Sequence, residues 1–455
     1  MKKIFVLTIS CLITMASFCF SLDESFQSEI RVQLPTTRAL SPIYTSKFAA
    51  EDSLLNGDYL DQLYDIFQFD FNHNGTTVIA PACAEKDMVL KNKNLKAAFN
   101  PTAWKDFGIK HVLKGSVTGK TLSIMVFSTE TGSLKHFNDI HLSGKLNEDR
   151  RHIHTLSDSV HKALFDKEGI ASTQILYSAQ AKPSRSENNE NWVSEIWECD
   201  WDGANARQIT KENSYCVTPV CIPSRHDRFL YVSYKQGQPK IFIASNEEGK
   251  GERFIDLRGN QLLPAISPRR DKIAFICDAA GRSDLFVQSL NFDRTNGTKP
   301  VQLYSFPRST QASPTFSPDG SKIAFVSDKD GSPRIYTIHA KQGSKREDPV
   351  LITKQNSESS CPSWSPDGTK LAYSAKTKGI RQIWIYDFES QEETQLTYGP
   401  GNKENPCWAQ NSLHLVFNST DTSSSELYVV NINQPDAIKI TRGSGKKHYP
   451  AWSAR

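Results

Sequence analysis

Beyond its first twenty residues the chain has no apolar run long enough to cross a bilayer, so no second spanning helix is expected. Charge of one sign is also missing: 54 Lys and Arg stand against 50 Asp and Glu, a formal +4. Setting aside Lys2 and Lys3 leaves 52 against 50, which argues against a nucleic-acid footprint. No Gly-x-Ser-x-Gly elbow occurs, so nothing supports a hydrolase of that type. Cysteine is present but unbalanced: nine in all, seven once Cys11 and Cys19 are removed, an odd number that cannot all pair. Cys216 and Cys221 lie close enough to suggest a disulfide. The stronger reading is that Cys221, Cys277, Cys361 and Cys407, inside or beside repeated strands, serve as small buried hydrophobes.

What is present starts with an export signal: Lys2-Lys3, an apolar stretch from Ile4 to Phe20, and Cys19-Phe20-Ser21 before the polar Leu22-Asp23-Glu24-Ser25. Cleavage is expected near Ser21, giving a soluble mature chain outside the cytoplasm. Cys19 follows the bulky Phe18, which disfavours a lipoprotein site. The remaining length predicts two domains, one of them large.

The large one announces itself by repetition. Pro219, Pro264, Pro314, Pro362, Pro406 and Pro450 are 45, 50, 48, 44 and 44 residues apart, the period of propeller blades. Each opens a unit of four strands, A to D. Strand A is Pro-x-(Trp/Phe), and strand B is aliphatic-aromatic, as in Ile323-Ala324-Phe325 and Leu371-Ala372-Tyr373. Strand C runs apolar, as in Ile383-Trp384-Ile385, and strand D is of the Gln395-Leu396-Thr397 type. Between A and B stands Ser317-Pro318-Asp319-Gly320 or Ser365-Pro366-Asp367-Gly368, whose proline presets a type I turn. Asp319 and Asp367 are therefore read as turn caps rather than metal ligands. Asp200-Trp201-Asp202-Gly203 resembles half of a calcium loop but lacks the other ligands, and is read as a strand C to D turn.

Counting strands predicts how the ring closes. The strand B at Ile175 has no strand A before it, while Pro450-Ala451-Trp452 is a strand A with nothing after it. The two are expected to pair, giving an all-β six-bladed propeller over residues 171–455, closed by residues 450–453.

Residues 22–170 show no repeat and predict a small α/β domain of mixed sheet plus helices, behind a signal peptide at 1–21. Alternating Glu29 to Leu34 reads as an extended arm or strand, 53–69 as a helix, 76–80 as a strand and 102–107 as a short helix. A meander follows over 111–142. The last helix is expected to be capped by Asn147, to bury Ile153, Leu156, Val160 and Leu164, and to end at Gly169. The economical packing puts all helices on one side of the sheet. His152, His154 and His161 on that helix are poorly placed for joint coordination and are read as a solvated face.

These residues resemble the TolB family, the periplasmic component of the Tol-Pal envelope system. The resemblance rests on Ala103-Trp104-Lys105-Asp106-Phe107-Gly108-Ile109, on Val112-Leu113-Lys114-Gly115-Ser116-Val117-Thr118, on the Ser-Pro-Asp-Gly repeats and on Tyr449-Pro450-Ala451-Trp452-Ser453. It covers essentially the whole mature chain. It implies a periplasmic, monomeric, non-enzymatic hub that uses no cofactor or metal, binds the Pal lipoprotein and couples to inner-membrane Tol proteins in outer-membrane integrity and cell division. Pal is expected where the loops leading into strand A crowd the channel mouth, with candidate contacts at Thr218, Asn260, Leu263, Gln311, Ala312, Ser360, Asn405 and Tyr449. Asn260 and Leu263 stand where other members often carry a Gly-rich stretch. The arm residues Glu29, Ile30, Arg31 and Val32 are the candidates for strand addition to a TolA-type protein.

Two other function classes are weighed against this. A lyase-type propeller needs converging histidines, but His226, His339, His414 and His448 occupy four different phases of the repeat. A carbohydrate- or peptidoglycan-binding module would draw on Tyr215, Tyr398 and Tyr449 at the mouth, and saccharide titration separates it from a protein-binding hub.

Overall fold

A computed structural model describes residues 39–181, 192–291, 298–341, 347–434 and 436–453. The signal segment and the arm at Glu29 to Val32 lie outside the described residues.

The N-terminal part comprises β1 (Ser41–Thr45), β2 (Ala49–Ser53), α1 (Gly57–His73), β3 (Thr77–Ile79), α2 (Ala84–Leu90), α3 (Leu95–Ala98), α4 (Pro101–Asp106), β4 (His111–Gly119), β5 (Thr121–Ser128), β6 (Leu134–His141) and α5 (Leu146–Phe165). The sheet order is β3-β1-β4-β5-β6, with β2 also on β4. β1 lies parallel to β3 and β4, and the β4-β5-β6 meander is antiparallel. Alternation along β4 sends Leu113 and Val117 under α1 and α5, where Leu63, Phe67, Ile153 and Val160 close the core. Val112, Tyr44 and Phe127 point the other way and are buried with Leu90, Ala98 and Trp104 of α2 to α4. The helices thus cover both faces, not one. The second layer is hard to see in advance because α2 and α3 have only 7 and 4 residues, too few to show a period.

Two helix boundaries also shift. Asn56 caps α1 by accepting from the Asp58 N–H, so the helix starts at Gly57. α5 begins at Leu146, inside the expected cap Asn147, and stops at Asp166, whose φ is 53°. Gly169 is needed for a different reason: a Cβ there would lie 2.0 Å from Asp158 Oδ1, and in the connection into the propeller that oxygen accepts from Ala171 N–H while Oδ2 accepts from Ser172 N–H.

The propeller has six four-stranded antiparallel sheets. Strands A, innermost, are Cys216–Cys221, Gln261–Ile266, Gln311–Phe316, Ser360–Trp364, Asn402–Trp408 and Lys446–Trp452. The last pairs with Gln174–Ala181, in register Ala451 to Leu176 and Trp452 to Ile175, so the C-terminal strand completes the blade that the propeller's first strand begins. In every blade an aromatic on strand B faces an aromatic on strand C: Tyr177 and Trp197, Tyr231 and Phe242, Phe275 and Phe286, Phe325 and Tyr336, Tyr373 and Trp384, Phe417 and Tyr428. Such pairs add to area burial and explain why the repeat keeps a ring at this phase.

The two short motifs have separate jobs. In the Ser-Pro-Asp-Gly turns, Ser365 Oγ accepts from Lys370 N at 2.9 Å and donates to Asp367 Oδ1 at 2.6 Å, while Thr369 N donates to the same carboxylate. Ser317, Asp319 and Ser321 repeat the pattern. These bonds hold the Asp319 and Asp367 carboxyls below the usual carboxylate range. Two residues past the end of strand D, Thr210, Thr353, Thr397 and Thr441 are buried and accept from the backbone N–H of Ile196, Ile335, Ile383 and Leu427 at 2.8–3.0 Å. Thr397 also donates to Gln382 Oε1 at 2.9 Å. Replacing Thr397 by Val keeps the shape and orphans both partners, so urea denaturation is expected to show a loss of about 1–3 kcal/mol.

The N-terminal domain sits on the propeller face made by the A–B and C–D turns. His414 Nε2 donates to the His73 carbonyl at 2.6 Å, Asn433 to Gly75 and Gln434 to Asn72. At the centre of the contact His154, 1% exposed, lies with Nδ1 at 2.9 Å from both carboxylate oxygens of Asp70 and Nε2 at 3.4 Å from Asp202 Oδ2. Trp201 Nε1 donates to Asp70 at 3.1 Å, and Arg150 pairs with Asp202. The expected solvated histidine face is thus wrong for His154 and His161, both buried, and holds only for His152. Asp70 and Asp202 raise the His154 imidazole to about 10 despite its burial.

His414 behaves oppositely, since burial lowers it to about 4. The unfolded chain takes up a proton near pH 6.5 while the fold refuses it until about pH 4, so stability falls on acidification through that window. Between pH 7 and 5 this single group is expected to remove about 2 kcal/mol. Comparison of wild type with His414→Gln by thermal melting checks it: the variant lacks that part of the pH dependence.

Candidate functional site

The channel is built by one strained feature repeated six times. Thr218, Leu263, Ser313, Cys361, Asn405 and Tyr449 each precede a repeated proline and each has φ between 46° and 54°. At every one the register of strands A and B slips, between Val217 and Val220, Leu262 and Ala265, Ala312 and Thr315, Ser360 and Ser363, Glu404 and Cys407, His448 and Ala451. The proline cannot donate to the ladder, so it sits in a bulge on an edge strand, here the inner edge. Non-glycine residues in this backbone region cost of order 1–3 kcal/mol each, and such strain persists at sites where the fold over-determines it. The six bulges line a central cavity of about 300 Å³.

Around the mouth on the D-to-A side, carboxylates anchor the loops from beneath. Asp278 Oδ1 accepts from Asn260 N at 2.6 Å, Asp328 Oδ1 from Thr310 N at 2.7 Å, and Glu393 Oε1 from Lys354 N and Gln355 N at 2.6 and 3.0 Å. Lys403, fully buried, donates to the carbonyls of Gly399, Pro400 and Gly401, and burial lowers it to about 8. The loops at this end are therefore set by internal bonds.

The candidate contacts divide accordingly. Thr218, Leu263, Asn405 and Tyr449 stand in the bulges and line the channel, and burial pushes the Tyr449 hydroxyl up to about 12. Ala312 and Ser360 lie just ahead of a bulge, within strand A rather than in a loop. Asn260 is in the loop, its amide donating to Asp278 Oδ2 at 2.8 Å. Gln311 is withdrawn from the surface, 1% exposed, with its amide on Ser309 Oγ at 3.0 Å. Ser313 and Cys361 share the bulge phase and were missed, although the residue before each proline is readable from the period alone. Tyr215, Tyr398 and Tyr449 are half-buried, and Tyr215 meets Tyr234 edge-on with centroids 5.6 Å apart.

Two other expectations concern metal and sulfur. His154, Asp200 and Asp202 are the one set of three possible metal ligands found among the described residues. Arg150 already pairs with Asp202, and Arg151 lies 3.5 Å from Asp200, so these carboxylates carry their own counter-charges. All seven described cysteines are free thiols. Cys216 and Cys221 mark opposite ends of one strand, which explains why they do not pair.

Fold and site together define a six-bladed β-propeller with a small α/β domain seated on one face and an open, strained channel mouth on the other. A family model described as the TolB beta propeller domain matches residues 161–455. A protein of Protochlamydia amoebophila called Protein TolB homolog is 48% identical over 87% of this chain and 85% of its own length. The Protein TolB homolog of Chlamydia trachomatis serovar L2 is 34% identical over 88% and 84%. The crystal structure of TolB from Acinetobacter baumannii superposes with a TM-score of 0.72 over 94% of this chain and 100% of that one, at 19% identity. The chain belongs to the TolB family.

Proposed function

We propose that this protein is a periplasmic, non-enzymatic protein-binding hub of a Tol-Pal type system. Its D-to-A channel mouth receives the globular domain of a Pal-type peptidoglycan-associated lipoprotein, and its arm around Glu29 to Val32 engages a TolA-type inner-membrane protein. In this role it supports outer-membrane integrity and cell division. The observation that carries the reading is the division of faces: the α/β domain occupies the A–B and C–D turns, leaving the opposite mouth, with its six bulges, available. Strained backbone concentrated at one open face is what a preorganised docking site needs. The test is a pull-down from envelope extract of the source organism with the mature protein as bait. A Pal-type lipoprotein is expected among the captured proteins, and loss of it on replacing loop 258–263; its absence from the wild-type capture contradicts the reading.

A further inference from the structure

Five of the six loops that lead into strand A carry an exposed cation six or eight residues before the repeated proline: Lys211, Arg258, Arg308, Lys354 and Arg442. None of the five side chains forms an ion pair among the described residues. The carboxylates beneath these loops are engaged elsewhere: Asp278, Asp328 and Glu393 accept from the backbone of the same loops, and Glu212 takes Tyr231, Ser233 and Lys235. Of the exposed acids on this side, Asp256 is met by Arg253 at 3.9 Å and Asp330 by Lys329 at 2.8 Å, while Asp421 accepts only from Ser423 and Ser424 of its own turn. Five cations without an ion pair thus stand around the mouth against Asp421 as the exposed carboxylate that meets no cation there, on a chain that is nearly balanced overall.

From this we infer that the mouth selects an acidic protein surface, with carboxylates ringing the contact. The inference rests on the reading of this face as a docking face. Charge of one sign around a partly apolar mouth steers encounter and rejects partners of like charge. The cations stand on five different blades instead of converging, which suits the broad rim of a protein better than a single phosphate. Leu263 and Tyr449 in the mouth supply apolar surface that a phosphate polymer does not use.

The test uses the mature protein and fluorescence anisotropy with three probes: a 20-residue poly-L-glutamate (about that length, enough to span several loops), poly-L-glutamine of equal length, and inorganic polyphosphate. Two variants are compared, the rim set K211S/R258S/R308S/K354S/R442S and an opposite-face set R228S/K250S/R269S/K322S/K439S, each checked for folding by circular dichroism. Polyglutamate is expected to bind wild type and to weaken about tenfold from 50 to 200 mM salt. The rim set should weaken it by a further order of magnitude or more, the opposite-face set by less than about twofold, and polyglutamine should not bind. Equal binding by wild type and rim set, or polyphosphate binding as tightly as polyglutamate, overturns the inference. Should the rim set not fold, the pair R258S/R308S is read by the same criteria. A Pal-type domain that binds wild type and rim set alike sinks the acidic-partner inference and leaves the docking reading standing. A Pal-type domain that binds neither, with polyglutamate still needing the rim, has the reverse meaning.

Discussion

Truncation after Tyr449 is expected to remove most of the stability of the propeller. The lost segment contains Trp452, 6% exposed, whose indole Nε1 donates to Thr173 Oγ1 at 2.7 Å. It also contains Ser453, whose N–H donates to the Gln174 carbonyl at 2.8 Å and whose Oγ accepts from Gln174 N at 2.9 Å. Losing a buried tryptophan alone costs about 3–5 kcal/mol. Three hydrogen bonds across the closure add about 1 kcal/mol each. The sum approaches the whole stability of a typical domain, about 5–15 kcal/mol, and the edge at Ile175 and Leu176 is left open. Urea denaturation followed by circular dichroism should show a midpoint far below that of wild type, with Trp452→Ala between the two. A truncated chain that melts with wild type contradicts closure by the C-terminal strand.

The second large effect lies between the domains. His154 on α5 is held by Asp70 on α1 and faces Asp202 on the propeller, all three nearly free of solvent. Replacing His154 by Ala leaves the Asp70 carboxylate buried without its counter-charge, an uncompensated loss of about 3–5 kcal/mol. The neutral pair Asp70→Asn with His154→Gln should recover much of that, because the buried carboxylate that remains, Asp202, keeps Arg150 as its counter-charge. Calorimetry is the readout: the single variant is expected to separate N-terminal and propeller melting, and the double variant to bring them back together. A single variant that melts in one transition at the wild-type temperature contradicts the role given to this cluster.

What was legible in the sequence followed from repetition and from local chemistry. Six prolines at one phase make blade count, strand order and closure readable, because each blade solves the same packing problem with the same residue types. Asp319 and Asp367 were readable as turn caps because the partners of an Asx turn lie within five residues. The interdomain network was not: Asp70 and His154 are 84 positions apart, and His154 sits among Arg150, Arg151 and His152, a stretch that looks solvated. Helix periodicity shows which side chains share a face, but not whether a second domain covers a polar one. In the channel, the αL state of Leu263 or Ser313 was hidden because neither residue type is chosen for that backbone region; the bulge imposes it. Gln311 was taken for a surface residue because one-dimensional spacing does not distinguish a loop from the first residue of an inner strand.

Hydrogen–deuterium exchange tests most directly which propeller face receives the partner. A Pal-type domain is added to the mature protein and amide protection is mapped. Protection is expected in the loops 211–218, 258–263, 307–313, 354–361, 398–405 and 442–449, with the Ser-Pro-Asp-Gly turns unchanged. Protection confined to those turns or to the α/β domain, with the six loops exchanging as in the free protein, contradicts docking at the D-to-A mouth.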